Sequence, residues 1–416
     1  MRVIIGELKK IWNIKILMII AILGVLFGIA MNGYIVAYPR GTWFFDVDFA
    51  HLLTEKYGTT LEQPDFEDFL NYEEVIIREV DEFVASRQVF IDAGIFTFAD
   101  FLAFRDETGQ LYETLTDEEA KQRVMITGEM GYTTRLRDGT DIRVNPYEPS
   151  VAYTKWISFH NVVGAYQRSV LRDSQWGAAV DNFIEGAPLN ERELQRAIEI
   201  RDSGELKNIM SYWAMFHTWR YARQLGILVI LATLILVSQL ITTDRANRVN
   251  WLQYSSKQGR SIFKKQFVAV LISSIAMTTL LIAIFAGMYG ARTDVHELWN
   301  NGINSFLNFN RFYWLPITFG EYILLTFGVM YLLSIGAAAF AFVMSRFSSN
   351  KIRLMFKIVP FFIAANMLSN WILSEFLEIY VGGDWVMQLS AAAVMLLVGI
   401  LIAMFVLRRE KRVELL

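Results

Sequence analysis

Six stretches of this chain run for at least 17 residues without a charged side chain: Ile16–Val36, Leu225–Ile241, Phe267–Tyr289, Tyr322–Met344, Ile358–Ser374 and Trp385–Leu407. A helix needs roughly 20 apolar residues to cross a bilayer core, with about 17 to 25 tolerated, so each stretch predicts a membrane span. The second and fifth are the shortest, and Pro360 stands near the start of the fifth, where a first-turn proline costs little. Arg2, Lys9, Lys10 and Lys15 precede the first stretch as they would a secretion signal. Its apolar run is longer than a signal core, however, and Tyr34–Arg40 holds no small-x-small cleavage pattern, so it predicts an uncleaved anchor. The fold class is therefore mainly α: a polytopic membrane protein with six transmembrane helices and a large, mostly helical extracellular domain between spans 1 and 2.

Charge orients the spans. Segments 1–15, 242–266, 345–357 and 408–416 together carry 18 Lys and Arg against four acids, whereas 290–321 and 375–384 carry two against six. Short cytoplasmic loops concentrate Lys and Arg, which predicts both termini on the cytoplasmic side of the plasma membrane. Segment 37–224, with 19 basic and 32 acidic residues, then falls outside. The net charge of −3 conceals this segregation.

The inserted segment reads as helical over Asp65–Phe104, where Phe69, Val75, Ile76, Val80, Phe83 and Val84 recur at three- and four-residue spacings. A second helix is expected from Asn190, a capping residue ahead of Glu191–Leu194, through Ile198 toward Ile209 and Trp213. Between them Thr127–Tyr153, with Gly128, Gly131, Gly139, Pro146 and Pro149, predicts turns and short strands such as Thr133–Leu136. The acidic surface suits an exposed domain; attraction of cationic peptides or ions is the competing reading.

Composition excludes several chemistries. There is no cysteine, hence no disulfide, thiolate nucleophile or cysteine metal site. His51, His160, His217 and His296 lie outside the apolar runs, and His296-Glu297 fails the two-histidine zinc pattern because its fifth position is Asn300. Asp65, Glu67, Asp68, Glu73 and Glu74 lack calcium-loop spacing. No phosphate-binding G-x-x-x-x-G-K-[ST] loop occurs, so no cofactor is expected in this chain, and ATP with its magnesium would belong to a partner subunit. Glu321, Glu375 and Glu378 are expected at span ends facing water or headgroups.

Four features remain as candidates. Asn366, Ser369 and Asn370 share one face of the fifth span, as a translocation pathway or as helix-to-helix hydrogen bonding. Gly24 and Gly28 in the first span permit close helix approach, within the subunit or in a dimer. The 290–321 loop, with Trp299, Phe306, Phe309, Phe312, Tyr313 and Trp314, suits interfacial anchoring. In the amino-terminal stretch Ile4, Ile5, Leu8, Ile11 and Trp12 repeat at helical spacing with Glu7, Lys9 and Lys10 facing away, which predicts an amphipathic helix lying on the inner leaflet. The basic loop 242–266 holds Trp251, Leu252 and Tyr254, more apolar than a simple positive anchor needs.

The Gly6-Glu7-Leu8-Lys9-Lys10-Ile11-Trp12 start, the six spans with both ends inside, and Leu252-x-x-Ser255-Ser256-x-x-Gly259-Arg260 followed by Lys264-Lys265-Gln266 resemble the permease subunits of ABC-2 type exporters. The resemblance covers the membrane half of the chain. It implies an elbow helix over 1–15 and a coupling helix that docks a cytoplasmic ABC ATPase through Trp251, Leu252, Tyr254, Ser255, Ser256, Gly259 and Arg260. It also implies a second permease copy, contact with membrane lipid, no nucleic acid, and no catalysis by the chain itself. The expected function is ATP-driven export of a peptide, an antibiotic, a lipid-like molecule or an ion. The alternative is a membrane sensor or scaffold with an extracellular ligand-binding domain.

Overall fold

The computed structural model describes residues 2–36, 45–130, 133–135, 141–143, 151–171, 179–247, 259–293, 295–308, 311–379 and 384–412. Six of its helices are long and apolar enough to cross a membrane: span 1 (Ile14–Val36), span 2 (Tyr212–Ala246), span 3 (Gly259–Thr293), span 4 (Phe319–Arg346), span 5 (Lys351–Leu373) and span 6 (Trp385–Arg412). Spans 2 and 3 are each 35 residues long. At 1.5 Å per residue they reach about 50 Å, well beyond a hydrocarbon core of about 30 Å. Charge-free runs mark only their middles, because Arg220, Arg223, Asp244 and Arg245 end the apolar run without ending the helix. We call the end of the bundle that carries the amino-terminal helix (Arg2–Ile11) proximal, and the end that carries the inserted domain distal.

Span 2 is the central post, with 78% of its most apolar window buried against 11% for span 1 at the periphery. It packs against spans 1, 3, 4 and 5, and span 4 packs in turn on spans 3 and 6. Backbone proximity sets the span 4–span 6 contact. A Cβ on Gly336 would lie 3.2 Å from the Leu396 backbone, and one on Gly399 would lie 3.0 Å from the Gly336 carbonyl oxygen. Span 5 starts earlier than its apolar run suggests, because the Asn350 side chain caps the helix by accepting from the Arg353 N–H at 2.9 Å. Pro360 therefore stands inside the helix rather than in its first turn, removing one interior hydrogen bond.

The inserted domain is a stack of short helices. The predicted Asp65–Phe104 helix is four: Gln63–Leu70, Glu73–Ser86, Gln88–Asp92 and Phe98–Leu111. Extended backbone at Arg87 and positive φ at Gly94 (75°) break it, and a capping box of Thr97 with Asp100 restarts it. The helix from Asn190 is capped as expected, its side chain accepting from the Arg192 and Glu193 N–H groups at 3.0 Å each. It stops at Ser203, where Gly204 turns left-handed at φ 81°, and a new helix begins beyond Ser211. Strands β1 (Thr133–Arg135) and β2 (Asp141–Arg143) pair antiparallel, Thr134 opposite Ile142. Helix Val151–Tyr166 carries no clear period in the sequence, yet it supplies Tyr153, Trp156 and Phe159 to an aromatic core with Phe49, Phe69, Phe98 and Phe101. Phe98 meets Trp156 edge to face at 5.0 Å.

The 290–321 segment is not an interfacial girdle. Phe306, Phe312, Tyr313 and Trp314 are buried between the inserted domain and the span ends, and Trp299 is the exposed member among those described. The reason is polar satisfaction. Asn301 donates to Thr54 Oγ1 (2.7 Å) and the Ile209 carbonyl, while Asn304 donates to Glu205 Oε2 (2.6 Å) and accepts from the Tyr313 N–H (2.7 Å). Ser305 Oγ accepts from the Met210 N–H at 3.0 Å. With partners for its backbone, an irregular loop can be buried.

Candidate functional site

The proximal end assembles what the sequence scatters. Glu7 does not face away from the bundle: it is buried, 5% exposed, on the same side as Ile11. One of its oxygens accepts from Lys10 Nζ at 2.9 Å and the other from Gln266 Nε2 at 3.1 Å. Asp244, at the end of span 2, accepts from the same two donors, Lys10 at 3.1 Å and Gln266 at 2.8 Å. Two carboxylates thus share one ammonium and one amide, each a charge-assisted bond. Burial lowers the Lys10 pKa, but the flanking carboxylates outweigh it and hold the ammonium above its ordinary range. The cluster joins the amino-terminal helix to the end of span 2 and the start of span 3, the two helices that bracket residues 248–258.

Neighbouring contacts extend this cage. Trp12 Nε1 donates to Ser273 Oγ at 3.1 Å. The Arg245 guanidinium donates to the carbonyls of Arg346 and Ser348, tying span 2 to the turn after span 4, and Arg346 lies 4.4 Å over the Phe263 ring of span 3. Of the residues expected to dock a partner, Trp251, Leu252, Tyr254, Ser255 and Ser256 lie outside the described residues. Gly259 and Arg260 are the first two residues of the span 3 helix. The unread signal for this site was the single acid within each of two otherwise basic segments, Glu7 in 1–15 and Asp244 in 242–266.

Within the bundle, the span 5 set divides. Asn370 donates to Asn366 at 3.2 Å, whereas Ser369 is fully buried against span 2, where a Cβ on Gly226 would lie 3.2 Å from its Oγ. A second polar cluster lies between spans 2, 3 and 4. Ser334 Oγ is 2.7 Å from Ser274, 2.6 Å from Thr278 and 3.2 Å from Thr233, all of them buried hydroxyls. Such groups glue helices together where water is absent. Gly24 and Gly28 face Phe285 of the same chain, at 3.5 and 3.8 Å from the positions their Cβ atoms would take. Among the described residues no group of three or more His, Cys, Asp or Glu is placed to hold a metal ion.

At the distal end the acids behave differently from one another. Glu321 is exposed and closes a capping box with Thr318. Glu378 does not face water: it is buried and accepts from Arg311 at 2.8 Å, with Glu375 on the same guanidinium at 3.5 Å. Glu375 and Leu377 hold left-handed backbone, φ 49° and 67°, in the turn that carries it, a strained conformation for residues with a Cβ. Burial pushes the Glu378 carboxyl up to about 7 despite Arg311. Asp46, buried beside the Ser211 hydroxyl at 2.7 Å, is pushed up to about 7 by the same cause.

Compared with family models, curated proteins and solved structures, the chain matches none.

Proposed function

We propose that the chain is the membrane subunit of an ABC-2 type exporter. In this reading its proximal face lies in the cytoplasm and residues 244–266 receive an ATPase subunit that holds ATP and magnesium. The orientation rests on the charge asymmetry of the short loops. A second permease copy would complete the assembly in the plasma membrane. The observation that carries the reading is the shared Glu7–Lys10–Asp244–Gln266 cluster. It makes the amino-terminal helix and both flanks of the 248–258 segment one mechanical unit, so a push on that segment moves spans 2 and 3 together. The Ser334 hydroxyl cluster passes the movement to span 4.

Replacing Trp251 or Leu252 with Asp is expected to abolish ATP-dependent transport and ATPase recruitment while leaving the protein folded. Unchanged recruitment and transport in reconstituted vesicles would refute the docking role. The inserted domain is hydrogen-bonded directly to the distal span ends through Asn301, Asn304 and Ser211. That linkage favours a second reading, a sensor that relays ligand binding inward. Substrate movement in vesicles separates the two.

A further inference from the structure

Between spans 2, 3 and 4, near their distal ends, lies a cavity of about 310 Å³ roofed by residues 295–299. Leu225, Ile282, Ala286, Ile323 and Phe327 form its apolar walls. Four of the five hydroxyls that line it are already committed. Thr218 and Tyr289 bond each other at 3.2 Å, Tyr221 donates to the Phe285 carbonyl at 2.9 Å, and Thr326 donates to the Tyr322 carbonyl at 2.8 Å. The interior therefore offers a ligand almost no polar partner, and water there would forgo its hydrogen bonds.

The cavity opens sideways. Ala283 and Gly287 are exposed between spans 3 and 4, and a Cβ on Gly287 or Gly290 would meet no atom within 4 Å. The surface beside that mouth carries exposed Ile284 and Met288, at 44% and 41%, the kind of surface a span presents to hydrocarbon. His296 and Trp299 stand exposed at its distal rim. The Trp299 indole occupies the place a Cβ on Gly320 would take, so the glycine leaves room for the ring at the rim.

We propose that this cavity is a lateral binding site for the hydrocarbon tail of one membrane phospholipid of the distal leaflet, with its headgroup beside His296 and Trp299. The volume is about twice that of the roughly 150 Å³ apolar cavity that takes up a benzene molecule, which suits a length of chain. The lateral mouth selects an occupant that arrives through the bilayer. The site rests on the six spans alone and is independent of the export reading.

The test is photolabelling of the full chain in vesicles of phosphatidylethanolamine and phosphatidylglycerol doped with a phospholipid carrying a diazirine in one tail. Labelling of Ala283, Gly287 and Phe327 is expected to saturate as the probe fraction rises, while labelling of the exposed Leu401 and Phe405 on span 6 rises linearly. Filling the space with Ala286→Phe or Gly287→Leu is expected to lower cavity labelling about tenfold, some 1.4 kcal/mol, and to leave span 6 labelling unchanged. Gly328→Leu, on an open face of span 4, should change neither. Labelling that rises linearly at both places, or saturation by a diazirine fatty acid but not by the phospholipid, overturns the proposal. The saturation test uses the unaltered protein, so it stands even where a filling variant fails to fold.

Discussion

The two ends of span 2 are held by different chemistry. At the proximal end Asp244 belongs to a cluster of four side chains whose bonds run between charged or amide groups on three separate helices. At the distal end the Met210 and Ile209 backbone is met by Ser305 and Asn301 of the 295–318 segment, Ser211 donates to Asp46 of the inserted domain, and buried aromatic residues of both segments add a packed layer. A few strong bonds between side chains can exchange partners as a unit. A dense weave of amide-to-carbonyl bonds yields only by unfolding. The difference marks the proximal end as a joint and the distal end as a weld.

The largest expected effect breaks the joint. Asp244→Ala leaves Gln266 and Lys10 short of an acceptor and should cost about 3 kcal/mol, the lower end for removing one partner of a buried pair because Lys10 is partly solvated. Thermal unfolding in detergent measures it, and Asp244→Asn should recover part of the loss. Next is the weld. Asn301→Ala orphans the buried Ile209 carbonyl and should cost about 2 kcal/mol, which thermal unfolding and protease sensitivity of the inserted domain read.

A third effect is pH-dependent. Asp46 and Glu378 are raised to about 7 from ordinary values of 3.8 and 4.5. An acid whose pKa rises on folding stabilises the fold below its ordinary value and loses that contribution as pH climbs through the folded value. The melting temperature should therefore fall from about pH 4 to about pH 7, and Asp46→Asn with Glu378→Gln should flatten the slope. The smallest effect is Gly24→Ala, whose methyl would make ordinary contact with Phe285 at 3.5 Å. It should stay within about 0.5 kcal/mol in a melting experiment.

The spans were legible because charge-free runs report the hydrocarbon they cross, and the Asn190 cap because its partners sit two and three residues away. What was not legible depends on partners far along the chain. Glu7 looked like a solvated charge, and only the fold brings it to Gln266, 259 residues later. Phe306, Phe312, Tyr313 and Trp314 had a composition that suits a membrane interface equally well, and Asn301 and Asn304 decide for burial through contacts with Thr54 and Glu205. Periodicity merged four helices of the inserted domain into one because Arg87 carries no signal for the extended conformation it adopts. The glycines that let the span 4 and span 6 backbones approach, Gly336 and Gly399, lie on different helices and so form no local motif.

We propose that residues 244–266 receive an ATPase subunit. A photo-crosslinking amino acid in place of Leu252, with the full chain in its native membrane, tests this directly. The expected product joins the chain to a protein carrying a phosphate-binding loop, and the cross-link should be lost when Trp251 is replaced with Asp. Cross-linking to lipid alone, or to a protein without such a loop, contradicts the account.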